Sequence, residues 1–168
     1  MLRRQFLLSS AGAALARSQQ TPAVLLVVAA GWRGWPPELT NNLQRLEREG
    51  LRCTRAYATC PEPTAARKCL LSGRYPHSPL DAALPFAVET LESRAPSYDA
   101  RILDMDRQLG RILDRVDPKI PVVFTATHGD LAGAHGLHGA DEAYEESARV
   151  PLAFRFPNVL PAGTARDA

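Results

Sequence analysis

The sequence predicts an α/β fold with a mostly parallel sheet flanked by helices, and three observations carry that expectation. Two short runs, Val24-Leu25-Leu26-Val27-Val28-Ala29-Ala30 and Val122-Val123-Phe124-Thr125-Ala126, are almost wholly apolar and rich in β-branched residues. That is the habit of strands buried on both faces. Segments with apolar residues at helical spacing lie between them, and strands alternating with helices are the pattern of a parallel sheet. At 168 residues the chain has the length of one domain, which buries roughly 70% of the surface its unfolded form exposes.

The N-terminus, MLRRQFLLSSAGAALARS, sets Arg3 and Arg4 before Phe6-Leu7-Leu8 and a small-residue run ending in Ala14-Leu15-Ala16. A charged start, a short apolar stretch and an A-x-A site predict a twin-arginine-type signal peptide over 1–16, hence an exported chain, periplasmic or extracellular. Residues 17–168 remain as the folded domain. Without Arg3 and Arg4 the formal charge of +2 falls to zero, so nothing basic argues for a nucleic-acid partner. No apolar run approaches the roughly 20 residues that span a bilayer.

After the first strand and the loop GWRGWPP, the segment ELTNNLQRLEREG places Leu39, Leu43 and Leu46 on one helical stripe and stops at Gly50. Leu51 to Ala58 alternates weakly, as a second strand or an extended arm. Thr64 is the predicted N-cap of a helix that ends at Gly73. Residues 78–96 have little pattern and read as a connector with room for a short helix. Ser97 opens the most regular helix, where Ile102, Met105, Leu109, Ile112, Leu113 and Val116 recur at helical spacing. Strands follow over Ile120 to Thr127 and over Pro151 to Phe156. Ligands of such sheets bind beyond the carboxyl ends of the strands. The loops after Ala30, around Pro63 and after Thr127 are therefore expected to carry a site.

Cys53, Cys60 and Cys69 form an odd set without C-x-x-C spacing, which leaves two readings: a Cys60–Cys69 disulfide in an exported protein, or three thiols packed as small hydrophobes. Trp32 and Trp35 either cover the end of the sheet or offer a stacking surface for a ring. His128, Asp130, His135 and His138 are close enough in sequence to converge on a transition metal, although framework roles account for them equally.

Four blocks stand in a telling order: PAVLLVVAAGWRG, LTNNLQRLEREGLRCTRAYATC, LLSGRYPH and FTATHGDLAGAHGLHGADEAYEESARVPLAFR. Together they resemble the sulfatases of the alkaline-phosphatase superfamily over most of residues 22–156, with one large gap. The resemblance implies an α/β sandwich around a mostly parallel sheet, a divalent cation, usually calcium, and a nucleophilic formylglycine. That residue is made from the Cys or Ser of a C-x-P-x-R motif at a helix N-terminus, where backbone N–H groups and the helix dipole favour an anionic ester.

Matched back from Leu70 to His77, the motif's arginine is Arg67, its nucleophile position is Pro63 and its proline is Ala65. Proline has neither hydroxyl nor thiol. The resemblance places the family's metal-binding Asp-Asp pair at Ala30 and Gly31 and a later aspartate at Thr127, with His128 matching the next ligand. A family lysine falls on Ala140, ahead of Tyr144-Glu145-Glu146. Only about twenty residues separate His77 from Ser97, where relatives carry a far longer insertion, so the domain is expected to be a shortened, truncated version of the fold.

The matched residues imply a sulfatase-like protein that keeps the scaffold, lacks sulfuric ester hydrolysis and holds no cofactor. Arg67 and Thr64 remain as candidate catalytic residues, with Cys60 as a further off-register thiol, and His128 as a candidate metal ligand. Two other readings compete: a weak metal-dependent sulfatase or phosphatase working through Thr64 or water, and a non-catalytic protein that binds a sulfated small molecule or glycan.

Overall fold

The computed structural model describes residues 24–33, 39–79 and 86–167; the leader expected over 1–16 and Trp35 lie outside them. The elements run β1 (Leu25–Ala29), α1 (Asn41–Arg48), β2 (Leu51–Cys53), α2 (Pro63–Ser72), β3 (Ala87–Leu91), α3 (Tyr98–Leu113), β4 (Val122–Ala126), α4 (Glu145–Ala148), β5 (Leu152–Arg155) and β6 (Thr164–Arg166). Six strands form one sheet in the order β3-β1-β4-β5-β2-β6. β1 pairs in parallel with β3 and β4, and β2 with β6. β5 alone runs antiparallel to its neighbours β4 and β2. The sheet is thus mixed and mostly parallel.

The apolar runs occupy the sheet's centre. Leu25 to Ala29 register one to one with Val122 to Ala126, and every residue of β1 is buried. Leu25, Val27, Ala29, Val122, Phe124 and Ala126 present one face to α1 and α3, which supply Leu43, Leu46, Ile102, Met105 and Leu109. Complete burial of a side chain such as Phe124 or Leu109 stabilises the fold by about 1.5–3 kcal/mol. Trp32 closes the end of this core. Its ring is fully buried and meets Phe124 edge to face at 5.3 Å, so it covers the sheet rather than offering a platform to a ligand.

α1 and α3 are joined by a buried carboxylate. Asp106, 2% exposed, accepts hydrogen bonds from the backbone N–H groups of Asn42 and Leu43, both at 3.0 Å, and from Asn42 Nδ2 at 2.9 Å. The first N–H groups of a helix lack internal partners, and Thr40, at the N-cap of α1, makes no side-chain cap bond. The cap comes instead from another helix. Gly110, one turn along α3, permits this approach, because a Cβ there would stand 2.6 Å from Asn42 Oδ1.

Two expectations need correction, the connector 78–96 and the cap of α2. The patternless connector 78–96 contains β3, an edge strand whose only buried residue is Leu91; with one strand neighbour and half-solvated faces it has no need of a periodic apolar signal. The extended stretch 51–58 is a strand only over Leu51–Cys53, followed by a single bridge from Tyr57 to Arg149. β6, also at an edge, is too polar to announce itself. The cap of α2 is Glu62 rather than Thr64. Its carboxylate accepts from Thr64 N at 2.8 Å and Ala65 N at 2.6 Å, with Pro63 at the first helical position.

Replacing Asp106 with alanine strands two backbone donors and an amide in the α1–α3 contact. We expect a loss of about 2–3 kcal/mol in unfolding free energy, read from urea denaturation, and a smaller loss for Asn42→Ala.

Candidate functional site

The C-terminal ends of β3, β1 and β4 lie side by side, and the loops leaving β1 and β4 meet there. Thr127 N donates to Ala29 O at 3.0 Å and Trp32 N to His128 O at 3.1 Å, so the two loops continue the pairing of their strands. Gly31 has φ +70°, and a Cβ built on it would lie 3.5 Å from His128 Cε1 and 3.7 Å from an Asp130 carboxylate oxygen. The structure therefore gathers Gly31, His128 and Asp130 at one point. The backbone at 31 is in the region where glycine is at ease and a side chain is strained.

Each member of this cluster already has a task. His128 Nδ1 lies 2.6 Å from the carbonyl of Gly129. A carbonyl only accepts, so Nδ1 carries a proton and Nε2 is left as the free lone pair of the neutral ring. Asp130 receives Ala132 N at 2.8 Å on one oxygen and the Arg101 guanidinium at 2.6 Å on the other. Thr127 is buried, with its hydroxyl 3.5 Å from Ala29 O. Ala30 N donates to Leu91 O at 3.1 Å, which ties the end of β1 to β3.

The first turn of α3 laces the two loops together. Tyr98 OH accepts from Arg33 N at 3.0 Å and donates to Arg33 O at 2.9 Å. Its ring packs under Arg33, at 5.0 Å from the guanidinium carbon to the ring centroid, and Arg101 approaches at 5.8 Å. Arg33 reaches on to Leu131 O at 2.8 Å. Burial pushes the Tyr98 phenol up to about 12, so it keeps its proton and both hydrogen bonds through the physiological range. Gly129 allows the closest approach: a Cβ there would come 1.9 Å from Glu146 O.

Arg67 points to the neighbouring strand. Its guanidinium donates to Thr90 Oγ1 at 3.1 Å and forms no ion pair among the described residues. Pro63 and Thr64 open α2, where Glu62 already holds the N–H groups that an external anion would use. Hydrogen bonds from those groups hold the Glu62 carboxyl below the usual glutamate range. Between α2 and the end of β4 is a small open cleft of about 80 Å³, lined among others by Ala66, Leu70, Thr125, Thr127, Tyr57 and Val150. Cys60 and Cys69 are both free, as is Cys53, and burial pushes the Cys60 thiol up, away from the nucleophilic thiolate.

His135 and His138 do not join His128. His135 stacks on Tyr144 at 4.0 Å and meets Glu146 at 3.4 Å, while His138 is exposed. Among the described residues no three His, Cys, Asp or Glu side chains gather into a metal-holding group. The donor set is also wrong for calcium, which takes 6–8 oxygen ligands: the matched positions are Ala30, Gly31 and Thr127, and Asp130 is committed to Arg101. Ala140 is buried, and its carbonyl accepts from the Ser147 hydroxyl.

No family model matches the chain. Over 76 residues, 42% of its length, it is 32% identical to N-acetylglucosamine-6-O-sulfatase of Bacteroides thetaiotaomicron, of which that stretch covers 14%. A choline-sulfatase of Rhizobium meliloti is 31% identical over 78 residues, 44% of this chain and 15% of that one. Among solved structures, a 2-O GAG sulfatase superposes with a TM-score of 0.68 at 11% identity, over 89% of this chain and 66% of that chain. The chain is sulfatase-like. The likeness to the solved structure carries the fold, and the chain's match spans about a seventh of the curated relatives' length.

Sequence reasoning about the sulfatase-like chain missed Glu62, Arg33, Tyr98 and Arg101. Glutamate is not a favoured N-cap, and Arg33 and Tyr98 are 65 positions apart, so no local pattern reports either.

Two outcomes follow from this geometry. Gly129→Ala forces Glu146 and Arg33 apart and is expected to cost about 1–3 kcal/mol, seen as a lowered thermal midpoint. Glu62 has a depressed folded-state value, so its cap contributes above the usual glutamate pKa and is lost as pH falls through the depressed one. Hydrogen-exchange protection of the Thr64 and Ala65 N–H groups, taken relative to the intrinsic rate at each pH, should fall over that acid window, and at neutral pH in Glu62→Ala.

Proposed function

We propose that this sulfatase-like chain is an exported protein that binds a sulfated small molecule or glycan and does not hydrolyse it. The observation that carries the reading is the start of α2. Pro63 stands where the resemblance calls for a nucleophile, and the Glu62 carboxylate occupies the two N–H groups beside it. Sulfuric ester hydrolysis needs a nucleophile and preorganised positive charge at the developing oxyanion, each a matter of several kcal/mol. Thr64 is an exposed residue of the first turn, and the carboxylate beside its hydroxyl, Glu62, already accepts from the N–H groups of Thr64 and Ala65.

What stays is cationic. Arg67 has no carboxylate partner among the described residues, and the positions where the resemblance places carboxylates for a cation are uncharged. A site that has lost its anions and kept its arginine favours an oxyanion over a metal ion. The relatives' names, an N-acetylglucosamine-6-O-sulfatase, a choline-sulfatase and a 2-O GAG sulfatase, support a sulfated ligand and leave its carrier open between small molecule and glycan.

The test is a pair of measurements on purified protein, with and without calcium. Aryl sulfate and aryl phosphate should give no turnover above the blank, and calcium should not raise the melting temperature. N-Acetylglucosamine 6-sulfate should bind, with about tenfold weaker affinity in Arg67→Ala, the scale of one lost charge-assisted hydrogen bond. Turnover abolished by Arg67→Ala or His128→Ala would sink the proposal and establish the weak hydrolase in its place.

A further inference from the structure

Away from the strand ends, α3 carries a feature that its packing does not explain. Arg107, Arg111 and Arg115 are exposed and spaced four residues apart, which puts them one above another on a helix, about 6 Å per step and about 12 Å end to end. The row extends past the end of α3 at Leu113 because the next turn keeps helical bonding, with Val116 N donating to Ile112 O at 3.0 Å and Arg115 Nε to Arg111 O at 2.9 Å. The opposite side of α3 bears Ile102, Met105, Leu109 and Leu113 against the core. The arginines occupy the centre of the solvent face.

Stacked like charges on a helix destabilise it. A cation in the last turn is favoured by the helix dipole, which accounts for Arg111 and Arg115 but not for Arg107, two turns from the end. Local ion pairs do not offset the cost, since none of the three makes one among the described residues. The nearby acids are engaged elsewhere: Asp114 binds Arg45 at 2.6 Å, and Asp104 accepts from Gln108 at 3.2 Å. Asp117 accepts from Lys119 N at 2.9 Å, and exposed Lys119 adds a further cation beyond the row.

We propose that this face of α3 is a docking stripe for the successive sulfate groups of a sulfated polysaccharide, separate from the site at the strand ends. The assignment rests on the reading that the chain takes a sulfated ligand. A guanidinium offers paired donors that match the oxygens of a sulfate group, and a straight row of three suits a polymer that carries anions at repeated intervals. Among the described residues none of the exposed large apolar side chains belongs to α3, so the face has neither a stacking surface for nucleobases nor an apolar wedge for a bilayer.

The experiment uses the full chain, a heparin decasaccharide and the monosaccharide N-acetylglucosamine 6-sulfate. The triple substitution Arg107→Ala, Arg111→Ala, Arg115→Ala should weaken decasaccharide binding about tenfold at low salt, the sum of three exposed charge contacts, and should flatten its salt dependence. Monosaccharide binding should be unchanged in that variant and weakened in Arg67→Ala. Circular dichroism should show full helix content, since alanine is the best helix former. Decasaccharide affinity equal to wild type would overturn the stripe. Equally tight, stripe-dependent binding of single-stranded DNA or phosphatidylserine vesicles would overturn its assignment to sulfated chains. If the monosaccharide fails to bind while the decasaccharide still depends on the three arginines, the reading of the strand-end site fails and the stripe stands.

Discussion

The parallel pairing of β1 with β4, residue for residue from Leu25–Val122 to Ala29–Ala126, is the constraint on which the rest of the structure depends. Because both strands run the same way and in register, their exits sit together, and whatever follows Ala29 and Ala126 must share one small volume. Gly31 meets His128 and Asp130 there, and the first turn of α3 holds both loops through Tyr98 and Arg101. β3 adds a third exit on the other side of β1, which is where Arg67 lands on Thr90. The same pairing requires cover on both faces, and the α1–α3 pair held by Asp106 provides it on one.

The charge balance at the strand ends rests on few positions. Carboxylates placed at 30, 31 and 127 would surround His128 with negative charge; with Ala30, Gly31 and Thr127 the charge balance there is set by Arg33, Arg101, Arg67 and Asp130. Asp130 is neutralised by Arg101, and Arg33 is turned toward Leu131 by the clamp of Tyr98. Glu62 on the N–H groups of α2 is the counterpart on the other side, an internal anion where the resemblance expects an external one. The scaffold's stability comes from apolar pairing and from buried caps, neither of which depends on the side chains at 30, 31 and 63.

Much of this was legible in the amino-acid order. The two central strands announce themselves because burial on both faces demands unbroken apolar runs, and α1 and α3 because burial on one side demands a stripe. The family resemblance came from four blocks in order with matching spacing, among them LLSGRYPH, whose Gly73 ends α2 at φ +68°. β3 and β6 were not legible, since an edge strand with solvent on its faces has no required pattern. The cap of α2 was misread because Thr64 is the better capping residue by type, and Pro63 at the first helical position shifts the cap back to Glu62.

The sequence by itself determined the class of fold, the order of its central elements and which residues stand at the positions a sulfatase uses, because each follows from periodicity or from spacing along the chain. Only the tertiary structure decided what those residues do now. It pairs Asp130 with Arg101, seats Glu62 on the start of α2, sets Arg67 on Thr90 and stacks His135 on Tyr144. Each of these depends on which groups the folded chain brings within a few ångströms of each other, and charge pairing and hydrogen bonding are decided at that distance, not by separation in sequence.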